Sequence, residues 1–441
     1  MKLSKYIEIS DCFGKNKYRV LFSTKTAKKL LINNQIYNHL LNGEFDKLSN
    51  EVFNNLHKEK VIVGDDLDEL QEFLNQSRDY ISNNRTLYEV IQPSADCQLG
   101  CAYCGQTHRK KQIDDNLVTR VIDRIKKKLD LKEYDHLSIG WFGGEPLLAI
   151  SKIEQITKQL KSIVENRGIT YSASITTNGL NLKESIFKRL IHCNVKEIDI
   201  TLDGYSEAHD LRRPIKNTET FSSYEIIIRN LCEITSLDVF DKEKVKLIIR
   251  TNIDKKNYQE VVPLIEDLIE KGLREKIHSF YLAPIHSWGN DAQKDSLDNE
   301  SFSKLEIEFM MYLQKNKFRL GVLPISAKKQ VCMSLSKRGE VYDAFGNIFN
   351  CTEIPYVDVY EKTDYIIDSL KESSITKERS FKGWIDDIEI GKFPCTNCKI
   401  LPICGGSCPK AWYEGNPPCP SIKYNLKERL LIFAQQTFSR Q

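Results

Sequence analysis

Apolar positions in the first 85 residues follow two different periods. Tyr6-Ile7-Glu8-Ile9 and Tyr18-Arg19-Val20-Leu21-Phe22 are short runs rich in strand-forming residues and predict a hairpin. A stretch carrying Leu30, Leu31, Ile36, Leu40 and Leu41 follows, then one carrying Leu48, Val52, Leu56 and Val61, and both read as amphipathic helices. Asn42-Gly43 breaks the first of these at a position suited to a helix C-cap. Residues 1–85 therefore read as a small separate α+β unit.

From residue 86 the pattern alternates between strand and helix. Strand-like runs fall at Tyr88–Gln92, Leu137–Phe142, Tyr171–Ile175, Glu197–Leu202, Val245–Thr251 and Phe280–Leu282. Amphipathic stretches separate them, at 115–130, 147–166, 181–192, 219–236 and 257–272. Six βα units in a row predict a parallel sheet closed fully or partly into a barrel over 86–300. A helix over about 300–316 bridges to the remainder, so 301–441 reads as that helix plus a loop-rich, cysteine-rich third unit. No repeat at a solenoid period and no low-complexity segment is present.

Composition narrows the function classes. The chain has 441 residues, 41% hydrophobic and 28% charged, with a net charge of +3, which argues against nucleic acid or acidic membranes as partners. No window holds the roughly 20 apolar residues that span a bilayer. The start, Met1 to Glu8, has charges within its only apolar stretch and no signal-peptide core, so a cytoplasmic location is expected. In that reducing compartment disulfides are rare, and thirteen cysteines point to a metal or a cluster. Cys97, Cys101 and Cys104 sit within eight residues, and seven more lie between Cys332 and Cys419. Cys12, Cys193 and Cys232 are scattered and read as small buried hydrophobes.

The loop Asp96-Cys97-Gln98-Leu99-Gly100-Cys101-Ala102-Tyr103-Cys104 directly follows the first barrel strand. Its three thiolates suit a [4Fe–4S] cube with one iron left free for a non-protein ligand; an open position marks a reactive centre. A zinc knuckle with His108 as fourth ligand is the competing reading. The other polar or glycine-rich motifs also fall after strand ends, where barrel active sites lie. These are Gly143-Gly144-Glu145-Pro146, Thr176-Thr177-Asn178-Gly179, Thr201 with Asp203 and Gly204, Arg213, Asn252, and Pro284-Ile285-His286. Glycines permit close backbone approach, Glu145 offers an acceptor for an ammonium, and Arg213 offers a partner for a carboxylate, a set that suits an amino acid moiety.

Together these motifs resemble the radical S-adenosylmethionine superfamily, whose signature is Cys-x3-Cys-x2-Cys in a partial (β/α)6 TIM-like barrel. The resemblance implies that Cys97, Cys101 and Cys104 hold the catalytic cluster, and that S-adenosylmethionine is cleaved reductively to methionine and a 5′-deoxyadenosyl radical. It assigns Gly143, Gly144 and Glu145 to the methionine amino group, Thr201 and Arg213 to carboxylate and ribose, and Tyr103 and Ile285 to the adenine. Asn178, Asp203 and Asn252 complete the expected cofactor-binding rim.

Cys395-x2-Cys398-x5-Cys404-x3-Cys408, with Cys419 after it and Cys332 and Cys351 before it, resembles the SPASM extension of the same superfamily. That extension carries two auxiliary [4Fe–4S] clusters, so three clusters are implied in all. It implies Cys332, Cys351 and Cys408 on the first auxiliary cluster and Cys395, Cys398, Cys404 and Cys419 on the second. Seven cysteines leave one of eight ligand positions open or filled by a carboxylate. A zinc ribbon, and with it a non-catalytic scaffold, is the reading from another class. The 1–85 unit resembles the winged-helix element by which peptide maturases bind a leader segment through strand addition. The substrate implied is a ribosomally made precursor peptide. The modification implied is a thioether, carbon–carbon or carbon–oxygen crosslink, or an epimerisation, with a flavodoxin- or ferredoxin-type electron donor. Anaerobic sulfatase maturation is the alternative activity; it is weakened because Thr352 and then Glu353 follow Cys351, where those relatives carry an aspartate.

Overall fold

The computed structural model describes residues 1–15, 17–218, 220–361, 364–371 and 377–438. Its centre is a parallel sheet made by β6 (Thr86–Ile91), β7 (His136–Trp141), β8 (Thr170–Thr177), β9 (Val195–Thr201), β10 (Lys246–Ile253) and β11 (Ser279–Pro284), each hydrogen-bonded to the next in sequence. The elements before it are β1 (Lys2–Leu3), β2 (Ile7–Ile9), β3 (Arg19–Ser23), β4 (Lys28–Ile32), α1 (Asn34–Leu41), α2 (Asn50–Lys58), β5 (Ile62–Val63) and α3 (Glu69–Asn83).

Helices α4 (Asp115–Leu131), α5 (Ile150–Glu165), α6 (Glu184–His192), α7 (Ser206–Arg212), α8 (Ser223–Thr235) and α9 (Val261–Glu270) connect the strands. They pack Leu117, Val121, Ile125, Ile153, Leu160, Phe187, Ile227 and Leu264 against strand residues such as Leu137, Ile139, Ile198, Ile200 and Leu247 in one continuous core. Side-chain caps fix several starts: the Asp114 carboxylate accepts from Leu117 N, and the Ser222 hydroxyl accepts from Glu225 N. This is the α/β, TIM-like half-barrel that the alternation predicts.

The C-terminal third comprises α10 (Asn299–Lys315), β12 (Val341–Tyr342), β13 (Asn347–Phe349), β14 (Asp368–Ser369), α11 (Trp384–Glu389), α12 (Leu401–Cys404), α13 (Pro409–Tyr413) and α14 (Ile422–Phe438). It extends the barrel sheet itself. β12 pairs in parallel with β6, Val341 opposite Val90, so the sheet runs β11-β10-β9-β8-β7-β6-β12-β13-β14. A buried charge cluster locks this join: Lys128 Nζ lies 2.7 Å from Glu89 and 2.6 Å from Glu340, and Arg124 reaches Glu340 at 2.7 Å and Asp368 at 2.9 Å. Strands of two or three residues carry too little periodicity to be read from sequence, which is why this continuation was not anticipated.

The N-terminal hairpin forms as expected, with Ile7 opposite Ser23, but its neighbour differs from the expected helix. Leu30 and Leu31 belong to β4, which pairs with β3 in register Val20 to Leu31; α1 starts only after Asn33, whose side chain accepts from Ile36 N. Asn42 is the C-cap of α1, and Val61 lies beyond the end of α2. The helix expected over 219–236 begins at Ser223, and Glu219 lies outside the described residues. Both faces of β3 are buried. Leu21 faces the unit's own core with Leu40, Leu56 and Ile62, while Val20 and Phe22 pack on Ile400, Ile403, Leu426 and Leu430. Tyr6, Phe73 and Leu74 share a further core with Trp384, Phe393, Cys395 and Leu401. The first unit is thus seated on the cysteine-rich region.

Candidate active site

At the C-terminal ends of the strands a cavity of about 150 Å³ is walled by Cys97, Cys101 and Cys104. Tyr103, Gly143, Gly144, Asn178, Thr201, Arg213, Asn252 and Ile285 complete that wall together with His108, Arg250, His286 and Trp288. Two of the expected residues, Glu145 and Asp203, stand just behind it, and the hydrogen bonds explain why.

Gly143 and Gly144 turn the chain after β7 with φ of +79° and +53°. A Cβ on Gly143 would lie 2.4 Å from the Gln92 side chain, and one on Gly144 would lie 2.6 Å from the carbonyl oxygens of Ser94 and Asp96. Only glycine lets this turn press onto the cysteine loop. The next residue is wholly buried: the Glu145 carboxylate accepts from Thr177 Oγ1 and Asn178 N at 2.7 Å and from Leu147 N at 2.9 Å. It ties the end of β7 to the end of β8, where direct contact with a ligand ammonium was expected.

Tyr103 is held by three partners. Its hydroxyl donates to Asp203 Oδ2 and accepts from Arg213 Nη1 at 2.6 Å and Asn252 Nδ2 at 3.1 Å. Asp203 is fully buried, its other oxygen accepting from Asn252 N at 2.8 Å. Burial and the nearby Asp203 hold the Tyr103 phenol far above its ordinary range, so it stays protonated. Arg213 is buried on the cavity wall, and its Nε has no hydrogen-bond partner. A buried guanidinium with an unused donor is costly unless something fills the space before it.

Asn178 donates to Cys97 Sγ at 3.5 Å and to Gln98 Oε1 at 3.2 Å, while its own carbonyl accepts from Leu180 N. Burial pushes the Cys97 and Cys101 thiols up to about 11, Glu145 adding to the first, and Cys104 shifts the same way. The loop alone would stay protonated near neutral pH. A bound metal centre supplies the charge that makes thiolates of these groups. Among the described residues no three His, Cys, Asp or Glu side chains close on one point suited to a single ion; the three cysteines instead ring a cavity. His108 lies on that wall, engaged by Lys216 at 2.6 Å, and burial beside this lysine drives it down to about 4.

Several wall residues carried no advance signal. Gln106 accepts from Gly144 N at 3.0 Å; His286, by contrast, belongs to a rim motif and lies 3.3 Å from Glu353. Trp288 donates its indole N–H to the Glu353 carbonyl. Gln92, under Gly143, has both side-chain amide atoms buried without partners. These residues come from loops between units, and only the folded arrangement brings them together.

The second cysteine region forms its own enclosure. Cys395, Cys398, Cys404 and Cys419 line a space of about 20 Å³ with Trp412 and Lys423. Cys332, Cys351 and Cys408 lie within electrostatic reach of one another, and Cys351 and Cys408 within reach of Glu353.

Residues 91–268 match the model of the Radical SAM superfamily. The chain carries a radical SAM domain. That domain makes it an enzyme, and it implies S-adenosylmethionine and a [4Fe–4S] cluster as cofactors. The orphaned Arg213 donor, the glycine turn and the three-cysteine wall fit them. Over 252 residues the chain is 26% identical to the radical SAM cyclopropyl synthase TigE of Paramaledivibacter caminithermalis, a match spanning 51% of each protein. The chain thus spans about half the length of that curated relative. Among solved structures, anSMEcpe with bound AdoMet superposes with a TM-score of 0.59 at 17% identity, covering 80% of this chain and 100% of that one. Streptococcus suis SuiB bound to its precursor peptide SuiA gives 0.50 at 15%, covering 95% and 98%. These two share the fold. No helix of the described residues is long and apolar enough to cross a membrane.

Proposed function

We propose that this radical SAM enzyme is a peptide maturase that installs a crosslink or an epimerised residue in a ribosomally made precursor. The observation that carries the reading is the shared wall: three cysteines, the glycine turn and the buried Arg213 line one cavity together with Arg250, His286 and Trp288. When bound, the cluster and S-adenosylmethionine supply a carbon radical able to take hydrogen from an unactivated C–H bond. The chain's own residues do the positioning. Arg213 on the cavity wall would pair with a carboxylate, the backbone at Gly143 and Gly144 would meet an amino acid moiety, and Tyr103, locked in place, would support an adenine beside Ile285.

The precursor peptide bound in the SuiB structure supports a peptide substrate for this chain as well, and the name of TigE, a cyclopropyl synthase, supports bond-forming chemistry. Residues 1–85 are proposed as the leader-recognition element, 86–300 as the catalytic half-barrel, and 301–441 as a SPASM region holding two auxiliary clusters. The outer strands β2 and β4 of the N-terminal sheet each have one neighbour and are suited to pairing with an extended leader. A flavodoxin- or ferredoxin-type donor in the reducing cytoplasm would supply electrons.

The test is anaerobic. Reconstituted protein given dithionite and S-adenosylmethionine should form 5′-deoxyadenosine, and short peptides encoded beside the gene should then be modified. A crosslink appears in mass spectrometry as loss of two hydrogens, an epimerisation as uptake of solvent deuterium. Cofactor cleavage without any change in such peptides would reject the peptide substrate, and zinc in place of iron would reject the chemistry.

A further inference from the structure

Lys423, at the start of α14, stands on the wall that Cys395, Cys398, Cys404 and Cys419 share. Its ammonium donates to the Cys419 sulfur at 3.3 Å and lies 5.9 Å from the Tyr424 ring centre. The same charge acts on Cys395 across the enclosure. The cysteines of the half-barrel have a different environment. Cys97 receives a neutral amide from Asn178 and faces the buried Glu145 carboxylate, while at Cys101 the positive Arg213 is opposed by Asp203.

Reduction of an iron–sulfur cluster adds one negative charge to the metal and its sulfurs. A cation donating to a ligand sulfur therefore favours the reduced form, and hydrogen bonds to sulfur raise the potential in the same direction. We propose that Lys423 raises the reduction potential of a cluster held by Cys395, Cys398, Cys404 and Cys419. The inference rests on the proposed reading of these four cysteines as cluster ligands. Lys423 is exposed to solvent, so screening keeps the effect modest.

The experiment uses the full chain with Cys97→Ala, Cys101→Ala and Cys104→Ala, reconstituted so that only C-terminal iron remains, and follows reduction by EPR during a potentiometric titration. In this background Lys423→Met should move one midpoint to more negative potential while any other stays. The expected shift corresponds to a threefold to tenfold change in the one-electron equilibrium, tenfold being about 59 mV. Lys423→Arg, which keeps the charge and a donor, should recover most of it. Unchanged midpoints in Lys423→Met at equal iron content would overturn the proposal. If Lys423→Met loses iron, Lys423→Gln is titrated instead, and iron loss in both would show a purely structural lysine and also overturn it. Zinc, or no iron, on these cysteines in the parent protein would instead reject the underlying reading.

Discussion

The two cysteine regions differ in how much room they leave. Cys97, Cys101 and Cys104 come from one loop and wall a cavity of about 150 Å³ whose remaining sides, from five strand ends and the loops beyond them, mix polar groups with Phe142, Pro284, Ile285 and Trp288. Cys395, Cys398, Cys404 and Cys419 surround about 20 Å³, closed by Pro394, Ile400, Leu401 and Trp412. Three protein thiolates beside a cavity leave a position for a ligand; four around a closed space leave none. The difference is the one that separates metal centres with an open ligand position from fully ligated ones. It also separates what each region depends on. The first packs through Cys97 and Leu99 on the core of the half-barrel, whereas the second shares its core with the N-terminal unit through Tyr6, Phe73 and Trp384.

The sharpest way to break this comparison is to remove the open site alone. Cys97→Ala, Cys101→Ala and Cys104→Ala together should abolish 5′-deoxyadenosine formation. Bound iron should fall by about four atoms, leaving that of the C-terminal region in place. Iron analysis and chromatographic assay of the nucleoside check both halves. Continued cleavage would show that the cavity is not the reactive centre.

The next largest effect concerns the shared core. Because Val20, Phe22, Tyr6 and Phe73 are buried against the C-terminal region, deleting residues 1–85 should expose that core and release the C-terminal iron, while the half-barrel loop keeps its own. A milder version is Phe22→Ala, where a fully buried ring is lost at a cost of about 3–5 kcal/mol. Denaturant unfolding of the apoprotein measures that loss. Retention of all iron by the truncated chain would mean that the N-terminal unit is a detachable appendage.

That dependence is also where the sequence was least legible. The βα alternation and the three-cysteine loop could be read because helices of ten residues or more and buried strands have strong periods, and because the loop's ligands are neighbours in the chain. The rim motifs followed from one rule, that barrel sites lie at strand ends. The role of Glu145 did not, since a carboxylate beside two glycines reads equally well as a ligand contact or as a tie between strands. Leu30 and Leu31 run directly into the Ile36, Leu40 and Leu41 pattern and read as its start, though pairing with β3 holds them extended. The pairing of the two-residue β12 with β6 and the burial of the second face of β3, at Val20 and Phe22, are set by partners more than 200 residues away, and local patterns carry no trace of them.

The smallest effect sharpens the comparison at a single hydrogen bond. Asn178 gives Cys97 a neutral donor at 3.5 Å, where Lys423 gives Cys419 a charged one at 3.3 Å. The two also differ in surroundings, since Asn178 is buried and Lys423 reaches solvent. Replacing Asn178 by Ala removes this donor and also the acceptor that holds Leu180 N, so it mixes redox and structural effects. Asn178→Asp keeps the Leu180 contact, removes the donor and brings a carboxyl group to the sulfur. A hydrogen bond of this kind is worth about 0.5–1.5 kcal/mol, so initial rates of 5′-deoxyadenosine formation should fall about twofold to tenfold in Asn178→Asp. The EPR signal of the half-barrel iron should shift while that of the C-terminal iron does not. Rates and spectra equal to those of the parent would show that the amide bond to Cys97 is idle, leaving the two regions distinguished by ligand number and space alone.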